Sequence, residues 1–150
     1  MPALLAAWGV LAVAGVALAV IDARRHRLPD AVVLPALALS LALLALAAAA
    51  RDEPARAHGV VGGALLAFAL CAAVHLARPS ALGGGDVKLA ALVGAHLGWF
   101  GAEAVASALA MAGVLGGCAA AGVRLAGMRR AELAYGPYLL GGAWWRILHG

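Results

Sequence analysis

Charge is scarce in this chain. Only 12% of its 150 residues are Asp, Glu, Lys or Arg, 65% are apolar, and mean hydropathy is +0.98. A soluble domain carries about twice that share of charge, and the stretches between apolar runs are too short to hold one. Aromatics are also rare, at 5%, and β-branched residues are few. Those shortages exclude a transmembrane barrel, which needs alternating strands and aromatic girdles. The two cysteines, Cys71 and Cys118, both lie inside apolar runs. They offer neither a disulfide framework nor a zinc-binding spacing and read as small buried hydrophobes. What abounds is helix former, with 42 Ala and 27 Leu. The expected fold is an all-α integral membrane protein, with residues 1–150 forming one polytopic domain.

Six apolar segments, at 2–21, 31–50, 58–77, 87–101, 104–123 and 134–148, predict a compact bundle of about six transmembrane helices. The fourth and sixth are shorter than the roughly 20 residues a crossing needs. Basic residues follow the first segment and none precedes it, the reverse of a signal peptide, so it reads as a retained helix with its N-terminus outside. Placing loop 22–30 in the cytoplasm puts Arg24, Arg25, Arg27, Arg78, Lys88, Arg124, Arg129 and Arg130 inside and leaves Arg51, Arg56 and Arg146 outside. That bias obeys the positive-inside rule. It also accounts for the net charge of +4 without nucleic acid, and no nucleic-acid partner is expected. Trp144 and Trp145 fall at the outer interface. The pairs Gly59/Gly63, Gly94/Gly98 and Gly113/Gly117 have the spacing that lets helices approach closely.

Several chemistries lack their residues. No H-E-x-x-H spacing supports a zinc protease, and Gly-rich plus Lys without G-x-x-x-x-G-K-[ST] is no phosphate loop. Ser40, Ser80 and Ser107 have no nucleophile elbow, and Lys88 has no S-x-x-K partner. His75 and His96 read as helix-packing residues. The acids are more telling. Asp52 and Glu53 belong to a solvated outer loop, Glu103 to an outer turn, and Glu132 pairs plausibly with Arg129 and Arg130. Asp22, Asp30 and Asp86 remain on the inner side. Asp22 ends the first span and Asp86 opens the fourth. Two spans lie between them, so both carboxylates share one membrane face, where a charge is costly and an acid is a functional candidate. Asp30, after Pro29, reads best as the cap of the second span. Asp86 could also be a cap, but three glycines precede it, which allow unusual backbone and leave room for a peptide strand to approach. Asp22 sits where the helix dipole disfavours an acid, unless Arg24, Arg25 or His26 pairs with it.

Two carboxylates held close share one proton. One can then take a proton from water while the other donates to the departing group, hydrolysing a peptide without metal or cofactor. The pair would titrate as a unit.

The stretch Ile21-Asp22-Ala23-Arg24-Arg25-His26-Arg27-Leu28-Pro29-Asp30 resembles the first block of the type IV prepilin peptidases. Gly83-Gly84-Gly85-Asp86-Val87-Lys88-Leu89 resembles their G-x-G-D-x-K block, and Tyr135-Gly136-Pro137-Tyr138 their F/Y-G-P segment, with Ala134 where a proline often stands. The resemblance implies a multi-pass aspartic endopeptidase of the bacterial inner membrane, without cofactor or metal, open at the cytoplasmic face. Its substrates would be prepilin or pilin-like precursors, cut after a glycine to remove a basic leader, and its other surroundings membrane lipid. Asp22 and Asp86 fall on the catalytic positions. Gly83, Gly85, Lys88, Pro29, Asp30, Gly136 and Pro137 fall on supporting motif positions. The short form lacks the cysteine-bearing domain linked to pilin methylation, so methyltransferase activity is not expected. Asp30 and Glu132 are candidates to receive the basic leader. Two other readings stand beside this one: a G-x-G-D protease of other membrane substrates, and a non-enzymatic membrane assembly subunit.

Overall fold

The computed structural model describes residues 2–25, 28–79, 82–125 and 135–149. They form α1 (Pro2–Arg25), α2 (Asp30–Ala49), α3 (Pro54–Ala77), α4 (Gly84–Gly98), α5 (Ala102–Leu125) and α6 (Gly136–His149), with no strand among them. Each helix falls on one of the six apolar segments, but the ends differ: α1 continues past Asp22 to Arg25, whereas α4 stops at Gly98, short of 101, and α6 starts at Gly136, because hydropathy marks what suits hydrocarbon rather than where a helix starts or stops. Pro29 adopts extended backbone before α2, and its carbonyl accepts the Val32 and Val33 N–H groups. Pro54 opens α3 in the first turn, where its missing N–H costs nothing. Gly101, at φ +107°, turns α4 into α5 with a backbone that a side chain would strain.

Four helices contain stretches long and apolar enough to cross a membrane: Pro2–Asp22, Asp30–Ala49, Pro54–Ala77 and Ala102–Gly122. Their outer faces expose Leu5, Val16, Leu46, Val61, Leu65 and Leu76. A surface this apolar suits lipid, and the chain is a multi-pass membrane protein. With 15 and 14 residues, α4 and α6 are shorter.

Helix α4 is the axis of the bundle. It touches all five other helices, and 12 of its 15 residues are buried, which leaves it no polar face. Lipid is as apolar as leucine, so helices here gain little from hydrophobic burial and depend on close contact. Glycine provides it between α3 and α4. A Cβ on Gly59 would lie 2.5 Å from the Gly98 carbonyl oxygen, and one on Gly63 would lie 2.7 Å from Gly98 Cα. Cβ atoms on Gly94 and Gly98 would strike the Gly63 and Gly59 carbonyls. Two of the three glycine pairs therefore interlock as the spacing suggested. The third does not: among the described residues nothing lies within 4 Å of a Cβ position on Gly117. On α5, Gly116 makes the close approach instead, to Tyr135, while the α5–α6 contact relies on Gly142 against the Ala108 carbonyl. Four-residue spacing names a helix face but not which face meets a neighbour.

His96 is fully buried, with Nε2 3.0 Å from the Ala7 carbonyl of α1 and Nδ1 3.0 Å from the Leu92 carbonyl. It is the packing histidine expected, and it ties α1 to the central helix. At the end of the bundle away from Asp22, Arg51 and Arg56 stack over Trp99 at 5.5 and 5.0 Å.

Candidate active site

Helix α1 buries one seam. Ala7, Leu11, Leu18 and Asp22 recur at helical spacing and are all nearly inaccessible. The packing that seats α1 thus carries Asp22 inward, to 4% exposure. Its Oδ2 accepts the Gly136 N–H at 3.0 Å. Gly136 opens α6, so the positive end of that helix offsets the unfavourable C-terminal end of α1. The basic partners considered for Asp22 are not what the described residues show: Arg24 is exposed, and His26 lies outside them, as does the side chain of Arg25. A Cβ on Gly136 would lie 2.8 Å from Asp22 Oδ2, so any larger residue here would displace that carboxylate. Pro137 follows in the first turn of α6, where no N–H is needed.

Asp86 is the third residue of α4 and 7% exposed. Its Oδ2 accepts the Gly83 N–H at 3.0 Å, the acidic half of a capping box. Its Oδ1 is buried and has no hydrogen-bond partner among the described residues. Asp86 is thus not the N-cap itself, which is Gly83, but it serves the cap through one oxygen and leaves the other over. Asp86 precedes the apolar run of α4 and lies outside the four long spans. Burial pushes its carboxyl up to about 6, the Asp22 charge pushes the same way, and the Gly83 hydrogen bond opposes them. The two carboxylates, from helices far apart in sequence, thus stand within electrostatic reach of each other at one end of the bundle.

The glycine loop is less open than its sequence suggests. A Cβ on Gly85 would lie 2.7 Å from Leu28 Cβ, so the α1–α2 connection fills the room expected for a peptide strand there. A Cβ on Gly83 would sit 3.2 Å from Asp86 Oδ2. Gly84 is the freer position, its nearest neighbour among the described residues being His75 Nε2 at 4.0 Å. His75 pins the loop through Nδ1, 2.7 Å from the Leu82 carbonyl, a role its apolar surroundings in the sequence did not signal.

Asp30 departs from its expected role. The N-cap of α2 is Pro29, and no side chain caps the helix. Lys88 Nζ instead holds both Asp30 oxygens, at 2.7 and 2.6 Å. This exposed pair fastens the start of α2 to α4 and joins two motif positions. Glu132 lies outside the described residues. Two further groups were read in the sequence without a place at the site, Cys71 as a buried hydrophobe, which it is, unlike the exposed Cys118, and Tyr135 as part of the F/Y-G-P segment. Cys71 on α3 and Tyr135 before α6 both lie within electrostatic reach of Asp86. Among the described residues no three His, Cys, Asp or Glu side chains are grouped to hold a metal.

The model of the type IV leader peptidase family matches residues 9–122, a stretch containing both aspartates. The chain is 32% identical over 151 residues to a prepilin leader peptidase/N-methyltransferase of Stutzerimonas stutzeri. That alignment covers 98% of this chain and 49% of the relative, so the chain spans about half the relative's length. No solved structure matches it. With three quarters of its length inside the family model, the chain belongs to the type IV leader peptidase family.

Proposed function

We propose that this protein is an aspartic endopeptidase that removes basic leaders from prepilin-like precursors, working at the cytoplasmic face of a bacterial inner membrane. The observation that carries the reading is the pair Asp22 and Asp86. Both are buried, both stand at helix N-termini that favour an anion, and the Asp22 charge reaches Asp86. The excess of basic residues in the loops at that end supports the orientation, with the N-terminus outside.

In the reaction, water enters between the carboxyls. The ionised one takes a proton as the water oxygen bonds to the scissile carbonyl carbon. The protonated one then gives its proton to the amide nitrogen, the C–N bond breaks, and one proton again serves two carboxylates. The unpaired Asp86 Oδ1 is suited to the water, and the open backbone at Gly84 to an extended substrate. Asp30, more than half exposed beside the site, can meet a basic leader by exchanging its partner Lys88 for a leader cation.

Co-expression with a panel of pilin-like precursors tests the proposal. The wild type is expected to shorten at least one of them, with the new N-terminus just after a glycine. Asp30→Lys should slow that processing without abolishing it. Precursors that accumulate uncut, or a cut inside the apolar helix, would favour the assembly-subunit or other-protease reading.

A further inference from the structure

Tyr135 is held against the dyad from two sides. Its carbonyl accepts the Tyr138 and Leu139 N–H groups, making it the cap of α6, and the next N–H, that of Gly136, binds Asp22. Its backbone is therefore fixed by one catalytic candidate. Its ring lies on α5, in a recess that Gly116 provides: a Cβ there would be 2.6 Å from Tyr135 Cε2. The hydroxyl passes Gly113 at 4.0 Å from the position of a Cβ, and the Tyr138 ring flanks it at 6.2 Å between centroids. The side chain is half-buried against the core. Its hydroxyl, on a half-buried ring, is a group that ordinarily takes a hydrogen-bond partner.

The surroundings fix its chemical form. Burial, Cys71 and Asp86 all hold the phenol above its ordinary pKa. It is thus a neutral O–H donor within electrostatic reach of Asp86, one residue before the N–H that binds Asp22.

We infer that the Tyr135 hydroxyl is a catalytic donor, bonding to the carbonyl oxygen of the scissile peptide beside Asp22 and Asp86. The inference rests on the endopeptidase reading. When water adds to the carbonyl carbon, that oxygen gains negative charge. Tyr135 stabilises it through a hydrogen bond and keeps its own proton, while the proton bound for the amide nitrogen comes from the dyad. A fixed neutral donor suits this task because it need not reorganise as charge develops.

The test uses the purified full chain in lipid with a precursor that the wild type cleaves. Tyr135→Phe keeps the ring in the Gly116 recess and removes only the hydroxyl. It should lower kcat by about 10²-fold, the usual loss for one such donor, with KM within about threefold and an unchanged melting temperature. A precursor analogue carrying a hydroxyethylene in place of the scissile amide should bind the variant more weakly by a similar factor. Binding of the intact precursor to Asp86→Asn should be indifferent to Tyr135→Phe. A variant with wild-type kcat, or one whose loss lies in KM or melting temperature alone, overturns the inference and leaves Tyr135 a packing residue. If the wild type cleaves no precursor, the endopeptidase reading falls and this inference with it. Cleavage lost in Asp86→Asn but kept in Tyr135→Phe overturns this inference alone.

Discussion

Asp22→Asn and Asp86→Asn are each expected to lower the cleavage rate by roughly 10³-fold or more, and the double variant to be no slower than either. Asparagine has nearly the same shape and can still accept the backbone hydrogen bonds from Gly136 and Gly83. What it removes is the ability to hold or pass the shared proton. Groups that act as a unit fail as a unit, so the second substitution finds nothing left to lose. Asp30→Asn is the comparison, because it removes one exposed charge that pairs with Lys88 or a leader cation and leaves both buried carboxyls in place. Such a pair contributes at most about 1 kcal/mol, and the rate should stay within about threefold of wild type. Single-turnover cleavage of one purified precursor by the four variants decides the matter. Losses that multiply in the double variant, or an Asp30 defect as deep as the other two, would refute the assignment.

The second large effect concerns the bundle axis. Gly63→Ala and Gly94→Ala each place a Cβ against backbone of the facing helix, which has no flexible side chain to yield. Helices α3 and α4 must then move apart, at a cost of about 3 kcal/mol, the upper range for overpacking. Since α4 carries Asp86, the loss should extend to activity. Gly62→Ala, one residue away on α3, has nothing within 4 Å of the added atom. It should be neutral or stabilising by up to about 1 kcal/mol, because alanine is the better helix former. Thermal unfolding in detergent separates the cases. Equal melting temperatures for Gly62→Ala and Gly63→Ala would contradict the interlocked packing.

The helices were legible because each is a run of Ala, Leu and Val bounded by Pro, Gly or charge, and composition alone marks such runs. The pairing of Asp22 with Asp86 was legible through parity: an even number of spans between two residues returns the chain to one face. What remained hidden depends on helix rotation and on neighbours distant in sequence. Nothing local tells that Gly136 meets Asp22, 114 residues away, or that Lys88 rather than a backbone N–H takes Asp30. The Gly85 recess reads as space for substrate until Leu28 is seen to fill it. The central place of α4 was implicit in its lack of any polar face, but a short apolar run fits the middle of a bundle and its edge equally well. His75 and Tyr135 lie in apolar or motif surroundings that explain them without reference to the site, and only their contacts with Leu82 and Gly116 give them a role.

The central claim is that two buried carboxyls sharing one proton do the chemistry, and the pH dependence of kcat/KM for the wild type tests it most directly. Below the working range both carboxyls are protonated and no base remains. As pH rises past the Asp86 value of about 6, the shared proton leaves and no acid remains. The rate should therefore rise to a single maximum and fall on the alkaline side, with Asp30→Asn following the same curve. A rate that climbs without a maximum to pH about 9, as expected where a single base with no carboxylic acid partner limits the reaction, would contradict the account.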